Sequence, residues 1–196
     1  MKAEGVYTNV TYWQEVTVMN YCSHCGTKVI LRVPTGDNRE RYTCDQCDTI
    51  HYQNPCIITG TLPIYKDQVL LCKRAIAPRY GLWTLPAGFM ENGESTEDGA
   101  IRETQEEAQA RVRVDDLYTL FDLPHINQVY FFYRAQLIDL SFCAGEESLE
   151  VALFDEADIP WSELAFPVVT RTLEHFFNDR KNQSYPLRRE VMKKMI

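Results

Sequence analysis

Glu103, Glu106 and Glu107 stand at i, i+3 and i+4 in the run Gly88–Ala110, GFMENGESTEDGAIRETQEEAQA. If that run is helical, the three carboxylates project from one side of adjacent turns. Acids held so close repel one another and raise each other's pKa unless a cation keeps them ionised. Oxygen-only ligands suit Mg²⁺ or Mn²⁺ rather than zinc, and Mg²⁺ keeps waters and accepts substrate phosphate oxygens in its open positions. A solvated acidic helix face is the other reading of the same residues. The helix itself is expected because Ser95 can cap it, Glu97 and Asp98 sit in its first turn near the positive end of the dipole, and the pattern runs to about Gln109.

A second constellation precedes it. Cys22-Ser-His-Cys25 and Cys44-Asp-Gln-Cys47 are separated by eighteen residues, the spacing of two knuckles that complete a tetrahedral four-thiolate site for structural Zn²⁺. A rubredoxin-like iron site needs the same four ligands. His24 and His51 are expected to be bystanders, because four thiolates already close the site. Hairpin strands are expected at Val29–Val33 and Glu40–Cys44, joined by the turn that begins at Pro34. Lys28, Arg32, Arg39 and Arg41 balance Asp37, Glu40, Asp45 and Asp48, so this segment suits a stabilising or subunit-contact role better than nucleic-acid binding.

The acidic run resembles the Nudix box, with Gly88, Glu94, Arg102, Glu103, Glu106 and Glu107 in register. Thr104 replaces an apolar residue, Gln109 replaces a glycine and Ala110 is a small version of the last apolar position. A glycine after a helix supplies a left-handed residue, so Gln109 implies an altered exit or about 1 kcal/mol of strain. From Cys22 to about Asn178 the chain is similar to the zinc-ribbon Nudix hydrolases, most closely the plant plastid FAD pyrophosphatase type. CSHCG, CDQC, YQNP, LLCKR, GLWTLPAGFMENGES, ESLE and LAF carry that resemblance. It implies an α/β fold, the Nudix α/β/α sandwich with a mixed sheet, preceded by a small four-cysteine zinc ribbon. It also implies hydrolysis of a nucleoside diphosphate linked to another group: FAD to FMN and AMP, with ADP-ribose and NADH as related substrates.

Carried over by position, Glu103, Glu106 and Glu107 bind catalytic Mg²⁺ or Mn²⁺ with help from the Ala87 carbonyl. Arg102 pairs with Glu94 and supports the loop. The general base is Glu107 or Glu147, with Glu150 behind them, and related pyrophosphatases imply a homodimer. The Ser-Gln-Pro-Trp-Pro-Phe-Pro array of the NADH-hydrolysing branch is not found after Ala110, which favours FAD or ADP-ribose.

Around these residues the chain divides into an N-terminal extension (1–18), the ribbon (19–55), the hydrolase domain (56–180) and a tail (181–196) without a clear pattern. Strands are expected at Cys56–Tyr65, Gln68–Lys73, Arg111–Asp122, Val129–Leu137 and Val151–Phe154, and a second helix at Phe166–Asn178. Arg74 and Arg79 lie on a basic loop and are candidates for substrate phosphate, since a fork-shaped donor suits it. Gly145–Glu150 is an acidic loop that can fold back over the metal site. Tyr80, Tyr130, Phe132 and Phe166 are candidate walls for a flavin or adenine ring. Trp83, Cys56, Cys72 and Cys143 are expected in the core, and His125 on the surface.

With Lys+Arg 20 against Asp+Glu 28 the net charge is −8, which disfavours general binding to nucleic acid or anionic membrane. No leader-like apolar segment opens the chain and none is long enough to span a bilayer. Seven cysteines, four of them in CxxC pairs, point to a reducing, cytoplasmic setting. Two other classes fit the same features: a nucleotide-sensing regulator whose ribbon contacts a partner, and a ribbon that delivers the enzyme to nucleotide-capped RNA.

Overall fold

The computed structural model describes residues 18–193. The extension expected at the N-terminus therefore lies, apart from Val18, outside the described residues. The chain divides between Asn54 and Pro55 into two compact units.

The first unit is a three-stranded antiparallel sheet of β1 (Ile30–Arg32), β2 (Arg41–Thr43) and β3 (Ile50–His51), in that order. The two expected strands are present but shorter, and β3 is an addition. Its pairing with β2 sets Tyr42 opposite His51. The β1–β2 connection is held by the Asp37 carboxylate, which accepts from the Asn38 N–H at 2.7 Å and from Arg41 Nε at 3.0 Å.

In the second unit, β4 (Cys56–Tyr65), β5 (Gln68–Arg74), β8 (Val112–Leu123), β9 (Gln128–Leu137), β10 (Ser148–Phe154) and β11 (Arg188–Val191) lie in the order β10-β5-β4-β9-β8-β11. Two short strands, β6 (Trp83–Thr84) and β7 (Ala87–Phe89), pair with β5 and β4 respectively. The sheet is mixed: β4 runs parallel to β9 and β11 parallel to β8, while the other pairs are antiparallel. Helices α1 (Thr96–Ala108) and α2 (Pro167–Arg180) cover its two faces.

The strand period of two divides the core between those faces. Along β5, Val69 and Leu71 join the aromatic cluster with Leu173, Phe176 and Phe177 of α2. Leu70 and Cys72 point the other way and pack with Ala108 of α1. The expected sandwich is thus the observed one.

The hairpin between β4 and β5 positions the site. It turns at Lys66, whose φ is 55°, and pairs only Ile64 with Val69 and Tyr65 with Gln68. Beyond that the two strands part, β4 taking β7 as its neighbour and β5 taking β6. Gly60 permits the close crossing, since a Cβ there would run into the Pro86 carbonyl and Ala87.

Three expectations need correction. Cys56 and Cys143 are exposed, and only Cys72 of those three is in the core; Cys56 opens a strand and Cys143 lies on a loop, where an apolar side chain can still meet solvent. The acidic segment ends sooner than expected, because β10 begins at Ser148 and Glu150 is a strand residue. The tail is not patternless. Arg188 forms two bonds to Asp179, at 2.5 and 3.2 Å, and the Tyr118 hydroxyl donates to the same carboxylate at 2.9 Å. Glu190 is held by Arg171 and His175 of α2. These pairs tie β11 to α2, beside its parallel pairing with β8.

Candidate active site

Helix α1 is begun by a reciprocal capping box: Ser95 Oγ accepts from the Asp98 N–H at 3.1 Å, and the Asp98 carboxylate accepts from the Ser95 N–H at 3.3 Å. Its buried face is tied to β4 by hydroxyls. Thr59 Oγ1 donates to the Thr96 carbonyl, and Thr61 and Thr104 bond through their Oγ1 atoms at 2.6 Å while Thr104 donates to the Ala100 carbonyl at 2.7 Å. Thr104 is therefore polar because the strand opposite it is polar. At the far end Gln109 takes the left-handed conformation, φ 48°, that a glycine would supply, and its N–H caps the Gln105 carbonyl. Its side chain accepts from the Cys143 thiol at 3.1 Å.

Arg102 organises the loop and the acidic face together. Nε and Nη2 donate to the two oxygens of Glu94 at 3.0 and 2.8 Å, Nη2 also to the Phe89 carbonyl at 3.1 Å, and Nη1 to Glu103 at 2.7 Å and Glu106 at 3.0 Å. Five contacts match the five N–H groups of a guanidinium. The Arg102 hydrogen bonds hold the Glu94 carboxyl down at about 2, aided by the Glu91 N–H. Arg102 itself is pushed further up by the same partners.

The glutamates differ in environment. Glu106 is open to solvent, whereas Glu103 and Glu107 are buried. Burial pushes Glu107 up to about 8, and the charges of Glu103 and Glu147 add to it; the Ala87 N–H, which donates to Glu107 Oε2 at 3.1 Å, works in the opposite direction. Glu103 is also raised, mainly by burial and against the pull of Arg102. Gly88 is needed for this arrangement, because a Cβ would enter the space of the Glu103 carboxylate.

Among the described residues, only Cys22, Cys25, Cys44 and Cys47 bring three or more His, Cys, Asp or Glu ligand atoms within 4.8 Å of one another. The glutamates share a helix face, but Glu103 and Glu106 are turned to Arg102 and Glu107 to the Ala87 N–H. Their oxygen-only chemistry and the cost of burying Glu103 and Glu107 as adjacent anions fit a hard divalent cation. The contact made by Ala87 to this group is through its N–H, not its carbonyl.

The loop 143–147 packs against the end of α1. Cys143 N–H bonds to the Ala108 carbonyl and Gly145 N–H to the Glu107 carbonyl, both at 3.0 Å, while the Glu147 carbonyl accepts from the Ala75 N–H at 2.8 Å. Gly145 lies so close to the Glu106 carbonyl that a Cβ has no room. Glu147 is exposed yet near enough to raise both Glu103 and Glu107. Glu150 faces Lys73 at 3.8 Å instead.

Arg74 and Arg79, alike in sequence, part company here. Arg79 is exposed on the loop with φ 67°. Arg74 is 8% exposed, donates from Nε to the Pro78 carbonyl at 2.9 Å and lies over the Phe166 ring at 5.1 Å. Its charge is felt by Glu107 and Tyr130. Phe166, a candidate ring wall, is thus engaged by a guanidinium. Tyr130 and Phe132 are buried and stacked at 6.2 Å, and Tyr80 is exposed. Burial of Arg74 was not legible in the sequence, where an arginine after a strand reads as surface; the aromatic at Phe166 is the only hint.

In the ribbon, Cys22 and Cys47 Sγ are 3.7 Å apart and Cys25 and Cys44 Sγ 3.4 Å. A tetrahedron with Zn–S near 2.3 Å places its sulfurs about 3.8 Å apart. Those two separations, with all four sulfurs within 4.8 Å of one another, suit a single Zn²⁺.

Comparison with known proteins gives two family matches: "Nudix N-terminal" over residues 20–53 and "NUDIX domain" over residues 57–173. The crystal structure of a NUDIX hydrolase from Nitrosomonas europaea is 52% identical, superposes with a TM-score of 0.88, and covers 90% of this chain and 100% of its own. An NAD-capped RNA hydrolase, NudC, of Vibrio parahaemolyticus is 31% identical over 53% of this chain and 38% of that protein. An ADP-ribose pyrophosphatase of Methanocaldococcus jannaschii is 29% identical over 59% of this chain and 69% of that protein. The chain thus spans well under half the length of the NudC relative.

Proposed function

The chain belongs to the NUDIX domain family, and on that premise we propose that it hydrolyses the diphosphate bond of a dinucleotide-type substrate, FAD to FMN and AMP. The observation that carries this reading is Glu103, Glu106 and Glu107 on one face of α1 under the control of Arg102, with the buried cation of Arg74 beside Glu107. Those glutamates, with the Ala87 carbonyl, would hold Mg²⁺ or Mn²⁺. Such ions, when bound, neutralise the diphosphate and acidify the attacking water.

The remaining work falls to the chain. In this reading Arg74 supplies fixed positive charge for the phosphates, and Arg79, on the exposed loop, is a second candidate donor to them. Glu107 and Glu147 are the two candidate acceptors of the water proton, with Glu150 less well placed because it faces Lys73. Arg102 keeps Glu94, Glu103 and Glu106 in register and does not touch substrate. Cys22, Cys25, Cys44 and Cys47 would hold Zn²⁺, which closes the ribbon and takes no part in the reaction. The assembly we expect is a cytoplasmic homodimer.

ADP-ribose and NADH are alternative substrates, the first favoured by the archaeal relative's name. The NudC relative's name favours a further one, an NAD-type cap on RNA, despite the net charge of −8. Chromatography of products from the zinc-loaded protein with Mg²⁺ separates these. FMN and AMP formed fastest from FAD support the first reading. ADP-ribose or a capped oligonucleotide turned over far faster would move the substrate and keep the chemistry. Substrate that binds but stays intact would make the chain a nucleotide sensor.

A further inference from the structure

Arg74 is a buried cation with an unusual set of neighbours. Among the described residues its guanidinium makes no ion pair; its contacts are the Pro78 carbonyl at Nε and the face of Phe166. A charge removed from water needs a partner. The backbone around it is fixed on both sides, since Arg74 N–H bonds to the Leu82 carbonyl and Gly81 N–H to the Arg74 carbonyl, both at 2.9 Å. Phe166 is equally fixed from behind. It precedes Pro167 at the start of α2, and the segment before it is stitched to β6 by the Ala165 N–H on the Trp83 carbonyl at 2.8 Å and by the Trp83–Leu164 bridge.

We infer that Phe166 is a positioning residue: its ring and the Pro78 carbonyl lock the Arg74 guanidinium in one plane, so that its remaining N–H groups face the diphosphate of the substrate. This rests on the reading of Arg74 as a phosphate ligand and adds to it the residue that aims the fork. The consequence is a coupling between the start of α2 and substrate affinity, although Phe166 itself does not touch the phosphates. A guanidinium stacked on an aromatic ring gains enough to change binding about 2- to 30-fold.

The test is a double-mutant cycle with Arg74→Met, Phe166→Leu and the double variant, read as the calorimetric Kd for ADP in Mg²⁺-free buffer and as kcat and KM for FAD with Mg²⁺. Phe166→Leu should weaken ADP and raise KM for FAD by about 2- to 30-fold. In the Arg74→Met background the same change should alter binding less than about twofold, since the coupled partner is gone. Phe166→Tyr, which keeps the ring, should bind as the natural protein does. Multiplying losses in the double variant, unaltered binding by Phe166→Leu, or a Phe166→Tyr variant as weak as Phe166→Leu would overturn the inference. Unaltered ADP binding by Arg74→Met would instead overturn the phosphate role of Arg74, and the inference with it.

Discussion

Arg102→Lys tests whether the five-contact guanidinium organises the acidic face. Lysine keeps the charge but offers at most three donors without a planar fork, so the paired bonds to the two Glu94 oxygens cannot both be kept. Glu94 and Glu103 side chains are only 16% and 11% exposed, so their lost bonds are poorly replaced by water. A charge-assisted bond lost at such a site costs about 1.5–3 kcal/mol. With part of the charge pairing retained, about 2 kcal/mol is expected for Arg102→Lys. For a unit of this size that is about 6 °C in melting temperature.

Kinetics should show a division. In the role proposed for it Arg102 supports the ligands without touching substrate, so KM should stay within about threefold, while displacement of Glu103 and Glu106 by the order of 1 Å lowers kcat by up to about 100-fold. Calorimetric melting and steady-state assays on the same preparation give both numbers. A variant that melts within about 1–2 °C of the natural protein and keeps kcat within about twofold would refute the claim that Arg102 sets the ligand geometry.

Gly88→Ala places a methyl group against the Glu103 carboxylate; the end of that side chain can swing away, so melting should fall by less than about 1 kcal/mol equivalent while turnover falls about tenfold or more, and unchanged turnover would contradict the packing. Asp179→Asn probes the tail. Burial alone would raise the Asp179 carboxyl, but the Arg188 bonds and the Tyr118 hydroxyl bring it below its ordinary value. The stability it contributes is present above that ordinary value and lost as pH falls through the folded one, so Asp179→Asn should cost about 2 kcal/mol at pH 7 and flatten the acid limb of a stability-versus-pH curve below about pH 4. An acid limb identical to that of the natural protein would remove Asp179 from the account. Stripping Zn²⁺ with a chelator, or Cys44→Ser, should unfold the ribbon in far-ultraviolet and limited-proteolysis measurements, and a ribbon that resists protease without metal would contradict the structural role of the ion.

The parts of this molecule that sequence reasoning could reach are those with a fixed short-range period. Helix α1 and its glutamates follow from i, i+3, i+4 spacing with a capping serine, and the ribbon from two CxxC pairs at knuckle distance. Strands β6 and β7, two and three residues long, are too short to show alternation and exist because the parted β4 and β5 each need a neighbour. Strand β11 depends on Arg188 finding Asp179 and on Glu190 finding Arg171 and His175, contacts no local pattern announces. The same applies to Arg74, which is buried and meets the ring of Phe166, ninety-two residues away. Thr104 reads as a flaw in the Nudix box when seen alone and as half of a hydroxyl bridge once Thr61 is opposite it.

The central claim is that Glu103, Glu106 and Glu107 hold the cation that cleaves a dinucleotide diphosphate. Product chromatography of FAD incubated with Mg²⁺ and zinc-loaded protein, natural and Glu106→Gln side by side, tests it most directly, because Glu106 is exposed and its loss should leave the fold intact. The account predicts FMN and AMP from the natural protein and a loss of turnover by orders of magnitude in Glu106→Gln at unchanged melting temperature. Near-normal turnover by a folded Glu106→Gln would contradict it.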